Sequence, residues 1–344
     1  MIIDIQEEFV KDYIWPTVKA GAIYEDSYLL GTAMARPLMA KKLVEVAEAE
    51  NAEYIIHGCT GKGNDQVRFE ASIKALNPDL KIFAPWRSED WKFESREDLI
   101  AYSKSKNIPI TQSEEKIYSR DENIWHISHE GGNLENSWNE YKDDIHVLSV
   151  PAEKAPDNPE FVEITFNEGI PTKIDGKILS PVEILNTLNT LGSKHGVGTI
   201  DIIENRLVGM KSRGVYETPG GTIIYEAHKA LEKLILDRDT MHYKKLVSER
   251  FAELCYDGKW FSPLMKAIMV FVDSTQEEVN GTVKIKLYKG MAKPVASKSE
   301  NSLYDEDFAT FSKDEVYDQS DATGFINLWA LPMTIKAIKN KEKK

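Results

Sequence analysis

Residues 53–86 read EYIIHGCTGKGNDQVRFEASIKALNPDLKIFAPW. The apolar run EYIIHG predicts a short buried strand. Phe69, Ile73 and Leu76 then recur at spacings of four and three, the period of a helix that NPD breaks. LKIFAPW predicts the next strand, so the stretch reads as a βαβ unit of a parallel sheet. Between strand and helix lies a turn with Gly58, Gly61 and Gly63 among polar neighbours. Glycine permits positive φ and close backbone approach, so successive N–H groups could converge there on an anion at the helix start. The turn is not a Walker loop. Only two residues separate Gly58 from Gly61-Lys62, and Gly63 stands where Ser or Thr would bind magnesium. A plain strand-to-helix turn, capped by Asn64 or Asp65, is the alternative. Asp65 and Arg68, three apart in the first turn, place a carboxylate and a guanidinium on one helical face, which is the polarity pattern of an amino acid.

On either side the same alternation continues. IQEEFVKDYIWP predicts a helix stopped by Pro16. RPLMAKKLVEVAEAEN predicts another that starts at Pro37 and turns Met39, Leu43 and Val46 to one face. REDLIAYSKSKN leads into a strand at IPI, so residues 1–110 form an α/β, parallel-sheet region. Residues 133–160 are polar and acidic and read as a long surface excursion. FVEITFNEGIPTKIDGKIL carries turn signals at Glu168-Gly169 and Asp175-Gly176. In SPVEILNTLNTLGSKHG, Ser180, Pro181 and Glu183 stand as N-cap, first helical residue and capping-box partner. GGTIIYEAHKALEKLILDRD adds a helix and GTVKIKLYKGMAKPVA a hairpin, so this second part is α+β. The tail LPMTIKAIKNKEKK reads as a short amphipathic basic helix, either a solvated end or an arm that docks on another subunit.

Composition narrows the function classes. The chain has 344 residues, 42% of them hydrophobic, enough to bury a large core in more than one domain. A net charge of −13 offers no basic field for nucleic acid or an anionic membrane. Two cysteines and no basic, apolar leader point to a cytoplasmic protein with small-molecule or protein partners. No CxxC or HExxH spacing suggests a structural metal site.

HGCTGKGNDQVRFE resembles the HGATGKGNDQVRFE signature of the argininosuccinate synthases. YEDSYLLGTAMARP, IPIT, YSRDENIWHIS, HGVGTIDIIENRLVGMKSRGVYETPGGT and DATGFI resemble that family's blocks, in its order. The resemblance implies an adenine-nucleotide hydrolase-like (ATP pyrophosphatase) α/β domain over residues 1–110 and a larger α+β synthetase domain over 111–325. It also implies an oligomerisation arm over 326–344 and a homotetramer. It implies a reaction in which citrulline attacks ATP, with magnesium, to give citrullyl-AMP and pyrophosphate, and aspartate then displaces AMP. By position, Tyr28, Asn64, Arg68, Ser119, Ser128, Glu204 and Tyr216 match the family's citrulline contacts. Thr60, Asn64 and Asp65 match its aspartate contacts, and Gly58 matches an ATP contact. Read without the resemblance, Glu204 and Tyr216 are surface polar residues and Ser119 caps a helical-looking DEN.

The chain departs from the family in three ways. Ala33 replaces a Ser, and Cys59 replaces an Ala and reads as a small buried residue rather than a nucleophile. The family's opening pyrophosphate loop, SGGLDTS, has no counterpart, and MIID matches only the strand before the second major helix. The expectation is an incomplete parallel sheet that lacks a first βαβ portion, its phosphate grip and its adenine pocket, and exposes an apolar edge. Such a chain would be a synthase read from an internal methionine, half of a split enzyme, or a non-catalytic binding and assembly module. A generic anion site in another α/β transferase is the reading without resemblance.

Overall fold

The computed structural model describes residues 1–93, 95–110, 118–310, 316 and 318–343. Residues 1–301 form one compact unit and 302–344 a second. The chain opens with α1 (Gln6–Phe9), a π turn over Val10–Ile14 and α2 (Trp15–Ala20). Pro16 therefore does not stop the helix. The π turn shifts the hydrogen-bond ladder just ahead of it, and the stop comes at Gly21, whose φ of 64° ends the helix left-handed.

α3 (Gly31–Ala49) begins six residues before Pro37, which sits inside it. Its first half buries Ala33, Met34 and Leu38 in the main core and its second half turns Ala40, Val44 and Ala47 toward the next helix, while Met39 and Leu43 are exposed. Small residues let α3 lie close against α4 (Asp65–Leu76), and Phe69 and Ile73 fill the space between. β1 (Tyr54–Ile56) and β2 (Lys81–Phe83) pair in parallel on either side of α4, the βαβ unit the sequence predicts. The strands are less buried than expected: Ile55 is covered, whereas Tyr54, Ile56 and Phe83 are exposed. α5 (Arg96–Ser105) follows behind a Ser95–Asp98 capping box. Residues 108–110 form no strand, and Thr111 of the IPIT block lies outside the described residues.

The antiparallel part holds two sheets. One, in the order β3-β4-β9-β8, joins β3 (Ser119–Glu122), β4 (Ile127–Glu130), β8 (Thr199–Asn205) and β9 (Lys211–Glu217). The other, in the order β11-β10-β5-β6-β7, joins β5 (Glu160–Asn167), β6 (Ile170–Ile174), β7 (Lys177–Ile178), β10 (Gly281–Tyr288) and β11 (Met291–Lys298). Its hairpins turn where the sequence predicts, with Glu168 and Gly169 at φ 49° and 73° and Asp175 and Gly176 at 48° and 79°. α6 (Pro181–Lys194) starts on the Ser180–Glu183 capping box. α7 (Pro219–Ile235), α8 (Arg238–Tyr256) and α9 (Pro263–Gln276) complete the unit, and the main core joins them to α6, β5 and β10.

Residues 133–160 are more than a surface excursion. Leu134 and Ile145 pack with Tyr118 and Val215 in a small core of their own. The buried carboxylate of Glu217 accepts the backbone N–H groups of Val147, Leu148 and Ser149, and His129 Nε2 lies 3.0 Å from it. Burial works against that charge, but His129 and the three N–H groups hold the carboxyl below its ordinary range. This clamp fixes the end of β9, one residue beyond Tyr216.

In the second unit α10 (Glu306–Ala309) precedes α11 (Asp321–Trp329) and α12 (Leu331–Lys341), so the tail is helical as predicted. Phe325 stacks on Trp329 at 5.5 Å, yet both remain largely exposed, as do Leu328 and Met333. Lys344 lies outside the described residues.

Candidate active site

α3, the glycine turn, the head of α4 and the β3-β4-β9-β8 sheet enclose a cavity of about 390 Å³. It is lined by every residue singled out from the sequence: Tyr28, Gly58, Thr60, Asn64, Asp65, Arg68, Ser119, Ser128, Glu204 and Tyr216. Residues 28 and 216 thus meet at one site, although only Asp65 and Arg68 were placed together by spacing.

The turn works differently from the expectation. Gly58, Gly61 and Gly63 do not adopt positive φ. A Cβ on Gly58 would meet nothing within 4 Å, so Gly58 leaves open space beside the backbone. Asn64 takes the N-cap position without capping. Its amide spans the fold instead, donating Nδ2–H to Tyr256 Oη at 2.8 Å and accepting Leu207 N–H at 2.9 Å.

Arg68 is 4% exposed, which excludes a solvated surface role. Its guanidinium donates to Asp65 Oδ1 at 3.2 Å and, through Nε, to the Tyr256 carbonyl at 2.9 Å. Glu70, the neighbour such a surface Arg would use, is taken by His57 and Arg87. Asp65 also accepts from Arg36 at 2.8 Å, and Arg36 reaches on to Asp121 at 2.5 Å. Burial works against the Asp65 charge, but Arg36 and then Arg68 outweigh it and hold the carboxyl below its ordinary range.

The sheet supplies the opposite wall. Ser119 and Ser128 lie on the β3–β4 hairpin, with Ser119 paired to Glu130, so no helix follows Ser119 for it to cap. Ser128 pairs across to Tyr216 on β9. Neither Glu204 nor Tyr216 is a surface residue: they are 5% and 3% exposed. Tyr216 donates its hydroxyl proton to Glu204 Oε1 at 3.2 Å, and Glu204 Oε2 is buried with no hydrogen-bond partner. Burial, with Glu130 adding to it against Arg68, raises the Glu204 carboxyl above its ordinary range. Arg36 Nε is likewise buried without a partner. A free acceptor and a free donor on two lining residues suit a zwitterion better than an apolar guest.

Several lining residues carried no sequence signal of a role. Arg36, Thr32, Asp121, Glu130 and Arg206 complete the rim, and the Arg206–Glu130 ion pair closes at 2.6 Å. The YEDSYLLGTAMARP block contained Thr32 and Arg36, but only pairing in space shows what they do. Cys59 also lines the cavity, half-buried rather than buried, and burial pushes its thiol up to about 11, far from a thiolate at neutral pH. Ala33 is fully buried. Among the described residues no group of three or more His, Cys, Asp or Glu is placed to hold a metal ion, and no helix is long and apolar enough to cross a membrane.

Sequence comparison defines the class. Residues 1–109 match the arginosuccinate synthase N-terminal HUP domain, and residues 118–336 match the arginosuccinate synthase C-terminal domain. The chain is thus a HUP α/β domain joined to a synthetase domain around a polar, amino-acid-sized cavity. It is 64% identical over 342 residues to the argininosuccinate synthase of Alkaliphilus metalliredigens, covering 99% of this chain and 82% of that protein. It is 60% identical over 337 residues to that of Caldanaerobacter subterraneus subsp. tengcongensis, covering 98% and 82%. With that of Thermoanaerobacter sp. strain X514 it shares 59% over 343 residues, 100% of this chain and 83% of that protein. The chain belongs to the argininosuccinate synthase family. This membership supports the ligase over a non-catalytic module or a half-enzyme. The match of the HUP domain over 1–109 also corrects the expectation of a missing N-terminal portion, which is not borne out.

Proposed function

We propose that the cavity binds citrulline and aspartate side by side and joins them, with ATP as the activating substrate, through citrullyl-AMP to argininosuccinate, AMP and pyrophosphate. The observation that carries this reading is the convergence of all ten sequence-derived residues on one cavity that offers both guanidinium and carboxylate groups, with one Glu204 oxygen unpartnered. Glu204, with its unpartnered oxygen, takes the citrulline ammonium, and Arg68 takes its carboxylate, while Tyr28, Ser119, Ser128 and Tyr216 line the rest of the molecule. Thr60 and Asp65 hold aspartate, Asp65 facing its amine, and Asn64 serves both substrates. Gly58 gives ATP room to approach the backbone, and Mg2+ arrives as the ATP complex.

The chemistry follows from placement. The ureido oxygen of citrulline attacks the α-phosphorus and pyrophosphate leaves. The aspartate amine then attacks the activated carbon and AMP departs with its bridging oxygen. Holding both reactants in one cavity supplies orientation. The test separates the two releases: pyrophosphate release should require citrulline, and AMP release should require aspartate as well. Pyrophosphate release without citrulline, or AMP release without aspartate, overturns the reading.

Assembly into a homotetramer through residues 326–344 belongs to the same proposal, as do the domain limits 1–110 and 111–325 and a cytoplasmic location. It is supported by the exposed Phe325, Leu328, Trp329 and Met333 of α11 and α12. Sedimentation of the chain as a monomer at micromolar concentration would count against it.

A further inference from the structure

Tyr256, the last residue of α8, does not line the cavity, yet it touches two lining residues at the head of α4, the N-cap Asn64 and Arg68. Its hydroxyl accepts Asn64 Nδ2–H at 2.8 Å, and its carbonyl accepts Arg68 Nε–H at 2.9 Å. Its ring lies under the Arg68 guanidinium, 4.7 Å from the centroid. Tyr24 stacks on that ring at 3.7 Å with the planes 5° apart, and Tyr28 meets it edge-on at 6.2 Å. Tyr24 is itself fixed, its hydroxyl donating to the Asn205 carbonyl at the end of β8. Tyr256 is therefore the hub between α8, the 24–28 loop and the head of α4.

The chain just beyond is shaped for this approach. Gly258 takes φ 72°, and a Cβ there would come within 2.7 Å of Arg68 Cα, so only glycine lets the end of α8 lie this close to α4. With Leu207 N–H on its carbonyl and Tyr256 on its amide, Asn64 has one conformation open to it. Its remaining Nδ2–H is left for a ligand.

We propose that Tyr256 is a positioning residue: it aims the Asn64 amide through its hydroxyl and sets the plane of the Arg68 guanidinium through its ring and carbonyl. This rests on the reading of Asn64 as a contact shared by both amino acids, and it adds a residue that never meets them. Loss of the hydroxyl alone should loosen Asn64 and leave Arg68 in place.

The test compares Tyr256→Phe with Tyr256→Leu in the full chain. Tyr256→Phe should raise KM for citrulline and for aspartate together, each about fivefold, the scale of one hydrogen bond, with KM for ATP unchanged. Tyr256→Leu also removes the stack, and should raise the citrulline KM further, with the larger change falling on the substrate that Arg68 holds. Hydrogen exchange of the Asn64 side-chain amide, followed by NMR without substrate, should accelerate in Tyr256→Phe while the backbone amides of α4 keep their protection. That readout stands even if the substrate assignment fails. An unchanged Asn64 exchange rate overturns the proposal, as does a fall in melting temperature with both amino-acid KM values unmoved. Wild-type protein that binds neither amino acid in calorimetry would instead overturn the substrate reading alone.

Discussion

The two walls of the cavity handle charge in opposite ways. On the α4 side Asp65 is met by Arg36 and Arg68, and Arg36 by Asp121, so the charges balance without any guest. On the sheet side Glu204 receives one tyrosine proton and leaves its other oxygen unmet. The first wall is organised in advance, and a ligand must replace one partner with another. The second carries an unfilled demand that a ligand ammonium can answer. The pH dependence separates them. The Asp65 carboxyl is lowered, so its contribution to stability is present above its ordinary value of 3.8 and is lost as pH falls through the lower folded value. The Glu204 carboxyl is raised, so the folded state holds its proton longer, and stability from this group falls as pH climbs through the window above 4.5.

Removing the balanced charge should have the largest effect. Asp65→Ala leaves two guanidinium groups short of a partner and, on the proposed reading, removes the contact for the aspartate amine, a change of about 2–5 kcal/mol for a charge pair whose Arg68 partner is buried. Aspartate kcat/KM should fall far more than that for ATP. Equal losses on both substrates would break the assignment of this wall.

Arg68→Lys comes next. An ammonium cannot keep the Nε bond to the Tyr256 carbonyl and the contact to Asp65 in one plane, so the citrulline KM should rise about tenfold. Because Arg68 is buried, thermal stability should fall as well, by about 1–3 kcal/mol. An unchanged KM would make its role purely structural.

Glu204→Gln sharpens the comparison, since it keeps the shape and an acceptor for Tyr216 while discarding the costly charge. Citrulline binding should weaken about tenfold at pH 8, yet the melting temperature should hold or rise. In the wild type citrulline affinity should drop as pH falls toward the raised Glu204 pKa, and in the variant this dependence should disappear. Calorimetry across pH 5–8 checks both.

Gly58→Ala should be the mildest. With nothing within 4 Å of its Cβ and φ outside the left-handed region, the melting temperature should stay within about 1 °C. A rise of about threefold in the ATP KM alone would place ATP beside this residue, and no change would move it elsewhere.

The fold was legible wherever chemistry is local. Turn pairs such as Glu168-Gly169 and the Ser180–Glu183 capping box declare their geometry within four residues, and both form. The face of α3 misled because hydropathy favours Met39 and Leu43, whereas close packing against α4 selects Ala40, Val44 and Ala47. The candidate site was legible through blocks of resemblance, while spacing offered only Asp65 and Arg68. Arg36, Tyr256 and Glu217 act through partners 29 to 192 residues away, and no local pattern marks such a pairing.

The cavity draws on segments from Tyr28 to Tyr216, and Tyr256 braces its floor from behind. Little of it can exist in a partly formed chain: the glycine turn leaves the ribosome early, but β8, β9 and the end of α8 that complete it follow more than a hundred residues later. Closure of such loops is slow, and until it is finished the α4 charges face water. Substrates therefore recognise only the finished unit. At a hundredfold excess over its dissociation constant a ligand of this site would add about 2.7 kcal/mol to the whole unit rather than to one wall. If citrulline and aspartate bind here as proposed, a cell rich in either would hold more of the protein folded.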